Sequence, residues 1–438
     1  MARTNTLGNF LTDVANAIRA KGGTSEPIQA SSFDTAIANL PSGGAVEVEE
    51  KDVNFYDYDG TRLHSYTKAE FLALESMPEN PTHDGLTPQG WSYTLTEAKN
   101  FVTKLGKLTI GQYFVTSDGA TKIYFELVGN ERLTPYLCFA VNGTATINWG
   151  DNTTSTITSD SLTTATRTPH TYASKGKYTI SISGDEIAFL SPVKSTDSSQ
   201  ILMLNDEIIE NYFDCTYSTS IYKIELGTNI TSINSYVFNK LTNLEAITTP
   251  LNITTLTGNY HFLQCLKLKF YLLPKVTAIP NYFMQNCFSL ENFAFSATTN
   301  ASNMYAFSGC SNLKRVILAG INVSANMFFN CSGLKEVLND NSTTFSSSIF
   351  TNCYSLTEFV FPTTTYRIRS GVFSNCKSLK KLDFTKMTYV PTLDNVNFIS
   401  GVPSDCKIVV PDSLYNTWIA ASGWTNISSY IVKESDYQ

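Results

Sequence analysis

Across residues 238–384 the chain repeats one phrase, Phe-x-x-Cys-x-x-Leu-x-x-apolar. Phe307, Cys310, Leu313 and Val316 make one copy, and Phe328, Cys331, Leu334 and Val337 the next. Phe350, Cys353, Leu356 and Phe359 follow, then Phe373, Cys376, Leu379 and Leu382. Earlier copies are looser: Met284 stands before Cys287, and Leu241 fills the Cys slot after Phe238. That slot falls at 241, 265, 287, 310, 331, 353 and 376, a spacing of 21 to 24 residues. A unit this short cannot close a core alone; it buries its apolar slots only by stacking on copies of itself. The period therefore dictates a solenoid. Runs such as 316–318 and 359–361 read as its short parallel strands, about 4.8 Å apart from coil to coil.

Val372, Phe373, Cys376 and Leu379, and the stretch from Asn229 to Phe238, resemble the BspA type of leucine-rich repeat. That resemblance implies a repeat scaffold found in bacterial surface proteins, parasitic protists and phage tail proteins. Residues 409–418, with Gly423 and Trp424, resemble the end cap of such arrays. Cys215 and Ile221 fit the spacing poorly, so the first coil departs from the pattern.

Six of the nine cysteines occupy the repeat slot, and no Cys-x-x-Cys pair occurs. Zinc ligands must converge on one point, whereas a ladder spreads along an axis. The cysteines therefore read as reduced, buried, small apolar residues; no metal and no cofactor is expected. The net charge is −7, which argues against nucleic acid as a partner. No run is long enough to span a membrane. The N-terminal stretch shows no apolar signal-peptide core and the C-terminal stretch no anchor. On this reading that suits a virion protein released by lysis.

Ahead of the array, residues 1–45 carry two short amphipathic stripes. Leu7, Phe10, Leu11, Val14 and Ile18 share one helical face, and Phe33, Ile37 and Leu40 another. Some 40 residues give too small a core to stand alone. The stripe from Phe10, followed by Phe33 and Ile37, resembles the opening of phage and prophage tail proteins. This implies docking on other tail proteins.

Residues 46–131 read as a small α+β module. A hairpin turns at Asp59–Gly60, and Thr67/Glu70 and Thr94/Glu97 are capping boxes. Tyr113–Thr116 and Ile123–Leu127 read as a second hairpin around Asp118 and Gly119. The module resembles one in minor tail proteins of phages of gut Firmicutes. Asp57, Asp59, Gly60 and Thr61 match a phosphatase nucleophile motif, but that chemistry also needs a lysine and a distal acidic pair on a larger doubly wound domain. The aspartates read as turn residues. Residues 132–190, with Trp149, Asp151, His170, Tyr172, Tyr178, Ile180 and Ile182, resemble the PKD type of immunoglobulin-like sandwich, a spacer. There Asp151 and His170 read as holding turns.

The chain thus reads as a multidomain, mainly β protein with some α. Its segments are N-terminal helices (1–45), the α+β module (46–131), a PKD-like sandwich (132–190), the leucine-rich-repeat solenoid (191–405) and a cap (406–438). The four histidines are scattered, and no zinc, esterase or phosphate-loop motif occurs, so an enzyme is not expected. A glycan hydrolase would need paired carboxylates in a cleft.

Each repeat strand carries one outward residue between two inward ones. In order these are Thr248, Leu272, Ala294, Ile317, Leu338, Val360 and Asp383, five of the seven apolar. Such a stripe is either covered by another segment of the chain or is a contact surface for a receptor or sister subunit. The candidate binding face is Leu272, Ala294, Ile317, Leu338 and Val360, with Lys380 and Lys381 beside it. The function this suggests is host-surface recognition by a phage tail appendage. Its N-terminus would hold virion proteins and its C-terminus a cell-surface glycan or protein, with a homo-oligomer such as a trimer in keeping with fibres. The other reading is a BspA-like surface or secreted adhesin.

Overall fold

The structure, a computed structural model, describes residues 50–127, 136–189, 202–203, 221–233, 235–276, 278–295, 304–318 and 323–437. The docking stripe of Leu7, Phe10, Leu11, Val14 and Ile18 lies outside the described residues. The chain is mainly β, with few helices and a C-terminal β-solenoid.

The α+β module opens with β1 (Val53–Tyr56) and β2 (Arg62–Tyr66), paired antiparallel around the Asp59–Gly60 turn. Helix α1 (Lys68–Leu72) starts on Thr67, whose side chain accepts from the Glu70 N–H while Glu70 reaches back to the cap. Strand β3 (Leu86–Trp91) follows. Helix α2 (Leu95–Leu105) repeats the capping box with Thr94 and Glu97, and Gly106 ends it in the left-handed conformation, φ 82°. Strand β4 (Leu108–Thr116) completes a sheet of order β2-β1-β4-β3. Val53, Phe55, Leu108 and Ile110 pack with Phe71, Ala98 and Val102 of the helices.

The second hairpin does not form. Strand β5 (Thr121–Leu127) leaves β4 and joins another sheet, antiparallel to β8 (Gly176–Phe189) and to β9 (Ile221–Glu225). The turn at Asp118 and Gly119 is real, but the apolar faces on either side of it are claimed by different partners. Strands β6 (Tyr136–Asn148) and β7 (Thr154–Pro169) pair with each other. Along its length β8 bonds β5, β6 and, through Ile187, β10 (Ile230–Ile233). One sheet thus runs from residues 121–189 into the first coils, and Lys51–Gln438 form one unit. Trp149 and Tyr172 are buried here. His170 stacks on Trp149 (4.6 Å between ring centroids) and its Nε2 lies 2.7 Å from Asp151, so these two residues brace a turn.

The solenoid extends this sheet coil by coil. Parallel pairs such as Arg315–Leu318 with Glu336–Asn339 form the strand face, and two-residue strands such as Arg367–Ile368 and Thr392–Leu393 form a second face. A tight turn edge carries the Phe and Cys slots. At the far end Lys407–Val410 and Ile431–Lys433 add two more parallel rungs. Trp418 and Trp424, fully buried, pack on Phe384 and close the core with apolar surface. A stacked array needs such an end, because its last coil otherwise leaves its core face to water.

Candidate recognition surfaces

On the strand face the expected apolar stripe is covered. Leu272, Ala294 and Ile317 are all buried, under 8% exposed. The cover is the module's own sheet. Tyr56 stacks on Phe270 at 5.3 Å, and Tyr56 and Tyr113 pack with Phe270, Leu272 and Ala294. Ile317 and the half-buried Leu338 join the core around Phe55 and Val102. A Cβ on Gly111 would stand 3.1 Å from Leu272 Cδ1 and from Phe270 Cζ, so glycine eases the close approach of β4 to the coils. Polar contacts fix the register. The Phe114 N–H donates to Thr249 O (3.2 Å) and Gln89 Oε1 accepts from the Leu251 N–H (2.8 Å).

Glu336 takes Lys107 at 2.7 Å and Arg315 at 2.6 Å. Burial works against its ionisation, but those two hydrogen bonds outweigh it and hold its carboxyl below the usual range. The binding face expected at Leu272, Ala294 and Ile317 is therefore an internal seam. Its reason is long-range: a segment some 200 residues upstream needs an apolar surface as much as the stripe does.

Beyond the cover, Val360 remains 39% exposed. Lys380 is exposed too, but Lys381 is tied: its Nζ lies 2.7 Å from Asp383 and over the Tyr437 ring. Arg367 is held by Asp394 at 2.8 Å. Asp57 is buried in its turn and bonds His83 Nε2 at 2.8 Å. Burial raises its pKa, which suits a structural pair rather than an exposed nucleophile.

The turn edge is organised by columns that sequence reading only partly saw. The seven coils with slots from 241 to 376 each have two left-handed positions. One precedes the Cys slot: Lys240, Gln264, Asn286, Gly309, Asn330, Asn352 and Asn375. The other lies five residues before the slot: Tyr236, Tyr260, Tyr282, Tyr305, Asn326, Ser348 and Gly371. These twists let alternate N–H groups point along the axis: Tyr260, Phe262 and Gln264 donate to Asn281, Phe283 and Gln285 of the next coil. The Asn side chains before the Cys slot form a ladder, Asn352 to Asn330 at 2.7 Å and Asn375 to Asn352 at 3.0 Å.

The second column is unusual. Asn and Gly tolerate positive φ, but a bulky residue there is strained by about 1 kcal/mol or more. Yet four consecutive coils place tyrosine there, with φ between 54° and 63°. Their rings stack face to face: Tyr236 on Tyr260 at 5.0 Å, Tyr260 on Tyr282 at 4.5 Å and Tyr282 on Tyr305 at 5.2 Å, all within 11° of parallel. All four are half-buried, so a rigid aromatic ladder reaches the surface.

Inside this edge the cysteines do more than fill space. Cys265, Cys287, Cys310, Cys331, Cys353, Cys376 and Cys406 are buried free thiols. Each slot thiol donates to the carbonyl of the Phe-slot residue one coil back, as Cys265 to Phe238 (3.0 Å), Cys310 to Met284 (3.2 Å) and Cys376 to Phe350 (3.1 Å). Burial pushes the Cys331 and Cys376 thiols up to about 12, so they keep the proton they donate. His261 occupies a column otherwise filled by Val237, Phe283, Ala306, Met327, Ile349 and Val372. It is fully buried, bonds Ile233 O through Nε2 at 3.2 Å, and burial lowers its pKa to about 4. Among the described residues no cluster of His, Cys, Asp and Glu could hold a metal ion.

The BspA-type leucine-rich repeat model matches residues 206–335 and 277–398, in six copies. The array is a BspA-type leucine-rich repeat region. Similar solved structures include a leucine-rich repeat protein from Bacteroides ovatus ATCC 8483, at 18% identity and TM-score 0.35, covering 44% of this chain and 56% of that one. A Treponema pallidum (T. pallidum) leucine-rich repeat protein is similar at 19% identity and TM-score 0.27, covering 39% of this chain and 83% of its own. No curated protein matches the chain. In the BspA-type array, then, the repeat residues build the core, the strand face is occupied from within the molecule as far as Leu338, and the turn edge faces outward.

Proposed function

We propose that this protein is a binder, not an enzyme, and recognises a cell surface through the turn edge of its BspA-type array. The tyrosine ladder carries this reading. Strain held in a row of half-exposed residues is kept where it serves a purpose, and tyrosine gives large, rigid, amphipathic contact area with little entropy to lose. The more specific form of the proposal is a phage tail appendage, anchored in the virion by Leu7, Phe10, Leu11, Val14 and Ile18. The repeat match favours a bacterial surface or secreted adhesin equally.

The test is Tyr260→Asn with Tyr282→Asn in the full chain. Asparagine suits the left-handed slot, as Asn326 already does one coil beyond the ladder, so the melting temperature should move by only a few degrees. Adsorption to host cells is expected to fall at least tenfold. Adsorption equal to the parent's overturns the turn edge as the working surface. Deleting residues 1–44 then separates the two settings: loss from particles with cell binding retained supports the tail appendage.

A further inference from the structure

Where the module's first turn meets the opening coils there is an open cavity of about 450 Å³. Its size is that of a small-ligand site. Asp59 walls one side, and Tyr222, Lys223, Glu245, Lys267 and Lys269 from three successive coils line the rest. Both walls are fixed. The Gly60 turn sits against coil residues, where an added Cβ would stand 3.1 Å from Phe270 Cβ. Beneath the floor the buried Glu225 takes the Lys223 Nζ at 2.8 Å and the Tyr124 hydroxyl at 2.6 Å, which pins Lys223 in place.

The other two lysines are not neutralised in this way. Lys267 forms only a long, exposed ion pair with Glu245, at 3.7 Å, and Lys269 makes no ion pair among the described residues. With Lys223 matched by Glu225, the lining sets Lys267 and Lys269 beside Asp59 and Glu245, two cations among two carboxylates. Ammonium groups on flexible stems suit phosphate or carboxylate oxygens, while Asp59 and Glu245, which only accept, suit hydroxyl donors.

We propose that this cavity binds a small hydroxylated anion: a sugar or polyol bearing a phosphate or a carboxylate. This deepens the surface-recognition reading and rests on it only for the biological source of the ligand, since the binding itself is measured on purified protein. The full chain is titrated calorimetrically with glycerol 3-phosphate, glucuronate, inorganic phosphate and glucose. At least one of the first two should bind tenfold or more tighter than glucose and inorganic phosphate, weakening as salt is raised. The glycerol phosphate and glucuronate arms tell the phosphate source from the uronate. Lys267→Gln and Lys269→Gln should each weaken that binding at least fivefold, while Lys335→Gln, on later coils, leaves it unchanged.

Absence of binding, equal binding of glucose, or unchanged affinity in both cavity variants overturns the proposal. Inorganic phosphate binding as tightly as glycerol 3-phosphate overturns the role given to Asp59 and Glu245. Loss of cell adsorption in the tyrosine variants with the titration intact leaves this site standing, whereas normal adsorption there with the titration intact overturns only the turn-edge reading.

Discussion

The strand face and the turn edge of the same coils solve the same problem in different ways. Both must satisfy a repeating row of backbone groups and cover the apolar slots behind them. On the strand face part of the cover comes from far away: a four-stranded sheet from residues 53–116 lies over Phe270, Leu272, Ala294 and Ile317. On the turn edge everything is supplied within the array, by stacked rings, side-chain ladders and thiols bonded to the preceding coil. An apolar outward residue therefore means opposite things in neighbouring coils. Ile317 is interior, and Val360, two coils on, is surface.

That difference can be broken most sharply at those two residues. Ile317→Asp buries an unpaired charge in the seam and should cost about 3–5 kcal/mol. Val360→Asp should change stability by about 0.5 kcal/mol or less. Urea unfolding of both variants checks this, and equal losses would mean that the seam does not protect residue 317.

The turn edge has its own weak point, and it responds to pH. His261 is neutral in the folded array because its pKa is lowered from 6.5 to about 4. Between those values the unfolded chain binds the extra proton, so stability rises with pH across the window. The contribution is fully present above the unfolded value and is lost as pH falls towards 4. At about 1.4 kcal/mol per pH unit the loss is of the order of 3 kcal/mol. Unfolding curves of the parent and His261→Leu between pH 7 and pH 4 isolate it; parallel curves would remove His261 as the cause.

A smaller effect concerns the thiols. Cys310→Ala gives up one weak hydrogen bond and a little packing, about 1 kcal/mol. Cys310→Ser retains a donor and should lose less than the alanine variant. The reverse order in thermal melts would reduce the cysteine to a filler.

How far the fold could be read beforehand depended on the range of the interaction. The inward slots, the capping boxes at Thr67 and Thr94, and the hairpin at Asp59 and Gly60 rest on neighbours a few residues apart, and all are found where the sequence places them. The parting of β4 from β5 was not legible, because a turn signal reports the bend and not the partner of each strand. Two signs of the seam were present. Phe270 stands in a slot that other coils give to Asn292, Arg315, Glu336, Glu358 and Lys381, and Gly111 interrupts a strand. Either one marks a close approach, but neither says by what.

By itself, then, the sequence determined that the second half stacks, which residues face inward and where the Cys column runs, because a strict period leaves one way to bury its apolar slots. Tertiary structure alone decided which outward face meets water, that Lys381 is spent on Asp383, and that four tyrosines at left-handed positions become one continuous ladder. Those outcomes depend on groups brought together from distant parts of the chain or from successive coils. Whether an apolar or charged side chain is free is a property of what lies against it, and sequence spacing does not encode that.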